Sequence, residues 1–144
     1  MHDLERKKWA SARAWEESKM RDYVIATDSS CDLSQEMADK LEVLVMPLTV
    51  MMEGESYHNF LDGREIGFSD FYSRLRRGKQ ATTSAVNVDE FCKALEAPLK
   101  EGKDVLYLGF SSGLSATYHS GTLAAEDLRS DFPEAVILTV DTLA

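Results

Sequence analysis

Hydroxyl-bearing residues cluster at three points in this chain: Thr27-Asp28-Ser29-Ser30, Thr82-Thr83-Ser84 and Ser111-Ser112-Gly113-Leu114-Ser115. Each follows or joins a β-type run and precedes a helix-type run, where free backbone N–H groups and a positive dipole end favour an anion. Ser and Thr hydroxyls add donors without adding charge, so such loops suit a carboxylate or a phosphate. Taken singly, each cluster is equally suited to capping its own helix. Ligands of open α/β sheets collect at the carboxyl ends of the strands, and all three clusters fall there.

Gly109-Phe110-Ser111-Ser112-Gly113 also spells G-x-S-x-G between a strand and a helix, the setting of a nucleophile elbow. A hydrolase would then need an acid and a histidine on later strands. Only 31 residues follow Gly113, and His119 falls on the helix that the serine itself opens. A serine esterase using this segment is therefore an alternative, as is a protein-interaction module with no small ligand. His2, His58 and His119 have no metal-ligand spacing with Cys31, Cys92 or one another. Neither G-x-x-x-x-G-K-[ST] nor G-x-G-x-x-G occurs, which removes the common nucleotide signatures. No metal and no cofactor are expected.

The elements that must position these loops are alternately β- and α-patterned. Tyr23–Thr27 reads as a strand, followed by a helix from Leu33 to Leu41 with Asp32 as N-cap and Gln35 completing a capping box. Val43–Met52 is β-rich around Pro47, and Glu53-Gly54-Glu55 turns it into Ser56–Phe60. A helix over Ser69–Arg77 is closed by Gly78, and Gln80–Val86 is read as a loop. Asn87 caps a helix carrying Phe91, Leu95 and Leu99, with Pro98 expected to kink it and Gly102 to end it. Val105–Phe110 is continuously apolar and predicts a strand buried on both faces. A helix over Leu114–Leu128 and a strand over Ala135–Val140 complete a βαβ unit. The fold class is α/β, a mainly parallel sheet flanked by helices.

Composition agrees with a globular domain: 144 residues, 44% hydrophobic and 28% charged. Two cysteines are too few for a disulfide framework. The net charge of −9 argues against a nucleic-acid partner. No apolar run approaches the roughly 20 residues of a membrane span, and the first residues have no apolar core of a secretory signal. A cytoplasmic protein that is not integral to a membrane is the expectation. Residues 1–22, with a net of +1, read as a polar helical extension of unassigned role, anchored by Leu4, Trp9 and Trp15. The domain proper, 23–144, is strongly acidic apart from Arg74, Arg76, Arg77 and Lys79. That basic run sits at a helix end, where cations complement the dipole, and leads directly into the Thr82-Thr83-Ser84 loop.

Read together, Tyr23–Leu33, Val45-Met46-Pro47-Leu48, Thr82-Thr83-Ser84, Phe110–Tyr118 and Val140-Asp141-Thr142 resemble the DegV family of bacterial fatty-acid-binding proteins. The resemblance runs from about Tyr23 to the end. It implies a carrier that buries a long-chain fatty acid and presents its carboxylate to a fatty-acid kinase, which does the catalysis. By position, the family's T-S pair matches Thr83 and Ser84, and its S-S-x-L-S segment places Ser112 and Ser115 at the ligand, with Ser29 and Ser30 in the first loop. Thr83 and Ser115 are implied as direct partners of the carboxylate. The basic run Arg74, Arg76, Arg77 and Lys79 becomes a candidate contact for the kinase. Ala85-Val86 stands where the family has Gln-Pro, and Ala116 where it has Gly. Family members run to about twice this length, so the chain is expected to be the first, N-terminal lobe, its C-terminal counterpart lying outside the sequence.

Overall fold

The computed structural model describes residues 21–143; the helical extension expected over residues 1–22 lies almost wholly outside them. Two sheets organise the chain. The first is parallel, with β1 (Tyr23–Asp28), β2 (Leu44–Met46), β6 (Asp104–Gly109) and β7 (Ile137–Asp141) in the order β2-β1-β6-β7. The second is an antiparallel ribbon of β3 (Thr49–Met52), β4 (Glu55–His58) and β5 (Ala81–Ser84) in the order β4-β3-β5. Helices α1 (Gln35–Lys40), α2 (Phe68–Arg76), α3 (Val88–Lys100) and α4 (Thr117–Asp131) fill the connections.

Side chains alternate across a strand, and register partners in a parallel pair share a face. On one face Ala26, Val105, Tyr107 and Ile137 are fully buried beneath Phe91, Leu95 and Leu99 of α3 and Ala124, Ala125 and Leu128 of α4. The i, i+4, i+8 spacing of the α3 residues makes that stripe. Asn87 starts the helix with a complete capping box, its side chain accepting from Glu90 N while Glu90 accepts from Asn87 N, both at 2.9 Å. The helix passes through Pro98 to Lys100, and Gly102 follows it at a φ of 82°.

The opposite face carries Ile25, Val45, Leu106, Leu108, Leu138 and Val140. Here the expectation of a strand buried on both faces is corrected: Leu106 and Leu108 are only half-buried, and Leu138 and Val140 are 55% and 43% exposed. A continuous apolar run suits apolar partners on both faces, and the described residues supply them mainly on one.

Three further expectations are corrected. Asp32 adopts a left-handed φ of 56°, so it cannot have the extended backbone of an N-cap. Ser34 caps α1 instead, accepting from Met37 N at 3.2 Å, and Gln35 donates to Asp39. The β-rich stretch 43–52 is two strands in two sheets, divided at Pro47. Gln80–Val86 is not simply a loop, because Ala81–Ser84 pairs with β3 as an edge strand and Val86 enters the core at 1% exposure.

Candidate functional site

The first loop is built around two buried polar residues. Ser29 Oγ accepts from Leu48 N at 3.0 Å and from Asn59 Nδ2 at 3.1 Å, tying the end of β1 to the passage between the two sheets. Asp28, 1% exposed, accepts from three donors: Ser30 N at 3.0 Å, Phe110 N at 3.0 Å and the Tyr107 hydroxyl at 3.1 Å. Burial, with the Asp28 charge beside it, pushes the Tyr107 phenol well above its ordinary range, so it remains a donor.

The loop after β6 is a compact turn rather than the start of a helix. Leu114 N and Ser115 N both donate to Ser111 O, at 3.0 and 3.1 Å. Helix α4 therefore begins at Thr117, three residues later than expected, behind Ala116, which has no side-chain cap. Ser115 Oγ takes part of that role, accepting from Thr117 N at 3.1 Å and lying 2.9 Å from Thr117 Oγ1. Ser112 N and Leu143 N donate to Asp141 Oδ1, at 3.2 and 3.0 Å, and hydrogen bonding from Ser112, its side chain foremost, and from Leu143 holds the Asp141 carboxyl below its usual range. Thr142 and Thr27 direct their hydroxyls to the C-terminal end of β6, donating to Gly109 O at 2.9 Å and Leu108 O at 2.8 Å.

Ser111, the nucleophile of the esterase alternative, is buried, and its Oγ accepts from Gly113 N at 3.3 Å inside the turn. His119 lies exposed in the first turn of α4, and no hydrogen bond joins the two among the described residues.

Between these loops and the open sheet face lies a cleft of about 450 Å³, within the range of small-molecule sites. Ile25, Leu33, Val43, Leu108 and Phe110 form its apolar wall, and Thr27, Asp28, Ser30, Asp32 and Thr142 its polar end. Of the six hydroxyl residues expected at the ligand, Ser30 lines the cleft. Ser112 and Ser115 stand further along the loop that Gly109 and Phe110 begin, and Ser29 lies beneath it. Thr83 and Ser84 stand on β5, where strand alternation sends their side chains to opposite faces: Thr83 registers with Val50 and Ser84 with Thr49. Both are exposed. Asp28 and the apolar wall escaped the sequence reading; the signal for Asp28 was an acidic residue closing a strand otherwise apolar toward the core.

The basic run is partly self-neutralised. Arg74 pairs with Asp70 at 2.6 Å and approaches Glu53 at 3.6 Å, while Lys79 pairs with Glu53 at 2.6 Å. Arg76 and Arg77 are exposed and form no ion pair among the described residues. Among those residues no helix is long and apolar enough to cross a membrane, and no group of three or more His, Cys, Asp or Glu residues is placed to hold a metal ion.

An open parallel sheet with a cleft of apolar, hydroxyl and acidic residues at its carboxyl edge defines an α/β lobe whose cleft has the size of a small-molecule site. The chain belongs to the DegV family: the profile of that family, described as one of uncharacterised proteins, matches residues 22–144. It is 38% identical over 122 residues to a DegV domain-containing protein of Streptococcus pyogenes, covering 85% of this chain and 42% of that one. Among solved structures it is similar to a stearic-acid-binding protein of Eubacterium ventriosum, with a TM-score of 0.74 and 30% identity over 83% of this chain and 41% of that one. A fatty-acid-binding DegV family protein of Thermus thermophilus has a TM-score of 0.72 and 32% identity, over 85% and 41%. The chain thus spans well under half the length of the relatives it matches.

Proposed function

We propose that this chain is the N-terminal lobe of a fatty-acid-binding protein, a carrier that presents the bound carboxylate to a fatty-acid kinase in the cytoplasm. The observation that carries the reading is the cleft itself, an apolar wall leading to a polar end of Thr27, Asp28, Ser30, Asp32 and Thr142 at the sheet's carboxyl edge. An acyl chain removes Ile25, Leu33, Val43 and Leu108 from water, at about 25 cal/mol per Å² of apolar surface covered. The head group is then proposed to meet the uncharged donors of a polar end that also includes Asp28 and Asp32. Ser30 lies at the cleft, Ser112 and Ser115 on the adjoining turn, and Thr83 with Ser84 on the neighbouring ribbon; Ser29 braces the first loop from below. Because Thr83 and Ser84 face opposite ways, a single carboxylate takes the hydroxyl of one, and Thr83 is our choice. The two similar structures above, both of fatty-acid-binding proteins, support the ligand class. Arg76 and Arg77, which form no ion pair among the described residues, are the proposed approach surface for the kinase, with Arg74 and Lys79 behind them in ion pairs.

The test is extraction of the purified chain with organic solvent and mass spectrometry, followed by titration with dodecanoate. Co-purified acyl chains and saturable binding are the expected results. A chain that carries no lipid and does not bind dodecanoate would refute ligand binding by this lobe.

A further inference from the structure

Asp28 borders a cleft proposed to take a carboxylate, yet its own side chain is 1% exposed and lies on the sheet face that carries Ala26 and Tyr107. Its surroundings give a reason for its presence. Ser30 N belongs to the loop after β1, and Phe110 N to the loop after β6; Asp28 accepts from both, one on each oxygen. The Tyr107 hydroxyl donates to the same oxygen as Phe110. Tyr107 is itself immobilised. Its ring packs edge-on against Phe91 at 4.9 Å and is stacked with Tyr118 at 6.3 Å. Gly109 and Gly121 give it room, since a Cβ on either would stand 2.9 or 2.5 Å from the ring. A rigid ring thus fixes the carboxylate, and the carboxylate fixes two loops.

We propose that Asp28 is a positioning residue of the ligand site, a strut that Tyr107 anchors in the core and that sets the separation of the two hydroxyl-bearing loops. The proposal rests on the ligand reading above for its binding arm, but its structural arm is independent of any ligand. Charge and position work in opposite directions here. Removing the negative charge alone strengthens binding of an anion, whereas releasing the loops weakens it. Asp28→Asn keeps the size of the side chain, yet its amide offers one acceptor oxygen where the carboxylate offers two.

The experiment compares the 144-residue chain with Asp28→Asn and Tyr107→Phe, measuring binding of dodecanoate and of dodecanol at a temperature where each protein is folded. Amide hydrogen exchange at Ser30 and Phe110 is followed in the same samples without ligand. The expected result for Asp28→Asn is about tenfold weaker dodecanoate binding, dodecanol affinity unchanged within about twofold, and faster exchange at both amides. Dodecanoate binding that is unchanged or tighter overturns the proposal, and so does equal weakening of acid and alcohol, the mark of a merely structural loss. Should Asp28→Asn fail to fold, Tyr107→Phe decides, because it removes one hydroxyl and keeps the ring. Faster exchange at Ser30 and Phe110 supports the strut, and unaltered exchange sinks it. If the parent chain binds neither ligand, the functional reading fails while the exchange arm still decides the strut.

Discussion

At the scale of single residues, the site separates hydroxyls that hold the protein together from hydroxyls free to meet a ligand. Ser29 is buried with two donors on its oxygen, and Ser111 is buried within its own turn. Thr83 makes no side-chain hydrogen bond among the described residues and stands exposed on an edge strand. Thr83→Ala and Ser115→Ala are each expected to weaken dodecanoate binding about tenfold, since a hydrogen bond to a charged acceptor contributes about 1.5–3 kcal/mol. Unchanged affinity in both, with melting temperature preserved, would reduce them to structural hydroxyls. Asp141 offers a second measurement. Ser112 lowers its folded-state pKa below the ordinary 3.8, so the contact contributes stability above that value and loses it as pH falls through the lower, folded one. The amide resonance of Ser112 is therefore expected to titrate below pH 3.8; a midpoint at or above 3.8 would mean that the contact does not hold in solution.

Elements set how closely the loops can approach. Gly121 sits inside α4, where alanine would ordinarily favour the helix by about 1 kcal/mol. Here the added methyl would fall 2.5 Å from a Tyr107 ring confined on its other sides by Phe91 and Gly109. Overpacking of that kind costs about 1–3 kcal/mol, so Gly121→Ala is expected to lower the denaturant midpoint rather than raise it. Such reversals show what the sequence could and could not declare. The α3 helix was legible because its cap and its apolar stripe are local and agree with each other, β6 because its apolar run is unbroken, and β1 and β7 because short β-rich runs end at polar residues. The start of α4 was not, since Leu114 and Ser115 are acceptable helix residues drawn into a turn by Ser111 O. Strand β5 escaped because Thr82, Thr83 and Ser84 are polar and exposed, although two adjacent threonines are themselves a β signal. Of the site, the hydroxyl loops were visible as composition, while the cleft wall depends on side chains brought together from β1, β6 and the segment before β2. At the end of α2, Arg76 and Arg77 are exposed and form no ion pair among the described residues. Reversal of both charges in a two-lobe protein is expected to slow kinase phosphorylation of bound fatty acid at low salt and leave binding unchanged. Equal rates across ionic strengths would make the pair ordinary solvated surface.

At the scale of the whole molecule, the described residues leave one sheet face largely uncovered. Leu138 and Val140 are about half exposed beside Leu106 and Leu108, and Leu114 and Leu143 stand out at the same end of the strands. Exposed apolar patches beyond a few hundred Å² drive association, so the 144-residue chain is expected to form dimers or larger species in solution. Leu138→Lys combined with Val140→Lys should return it to monomers in sedimentation, with α3 and α4 undisturbed because the opposite face is unchanged. A parent chain that sediments as a monomer at high concentration would show that the face is tolerated bare.

The strand order β2-β1-β6-β7 also has a temporal side. Thr27 and its partner Leu108 are 81 positions apart. At a synthesis rate of about 5–20 residues per second, the inner strand β1 waits roughly 4–16 s on the ribosome before β6 exists to receive it. During that interval β2 is its sole neighbour, and the edge destined for β6 is open to any other extended chain. The nascent protein is thus vulnerable along a strand that later lies inside the sheet, and early pairing of Ala26–Asp28 with Leu44–Met46 is the local shelter that the first sheet offers it.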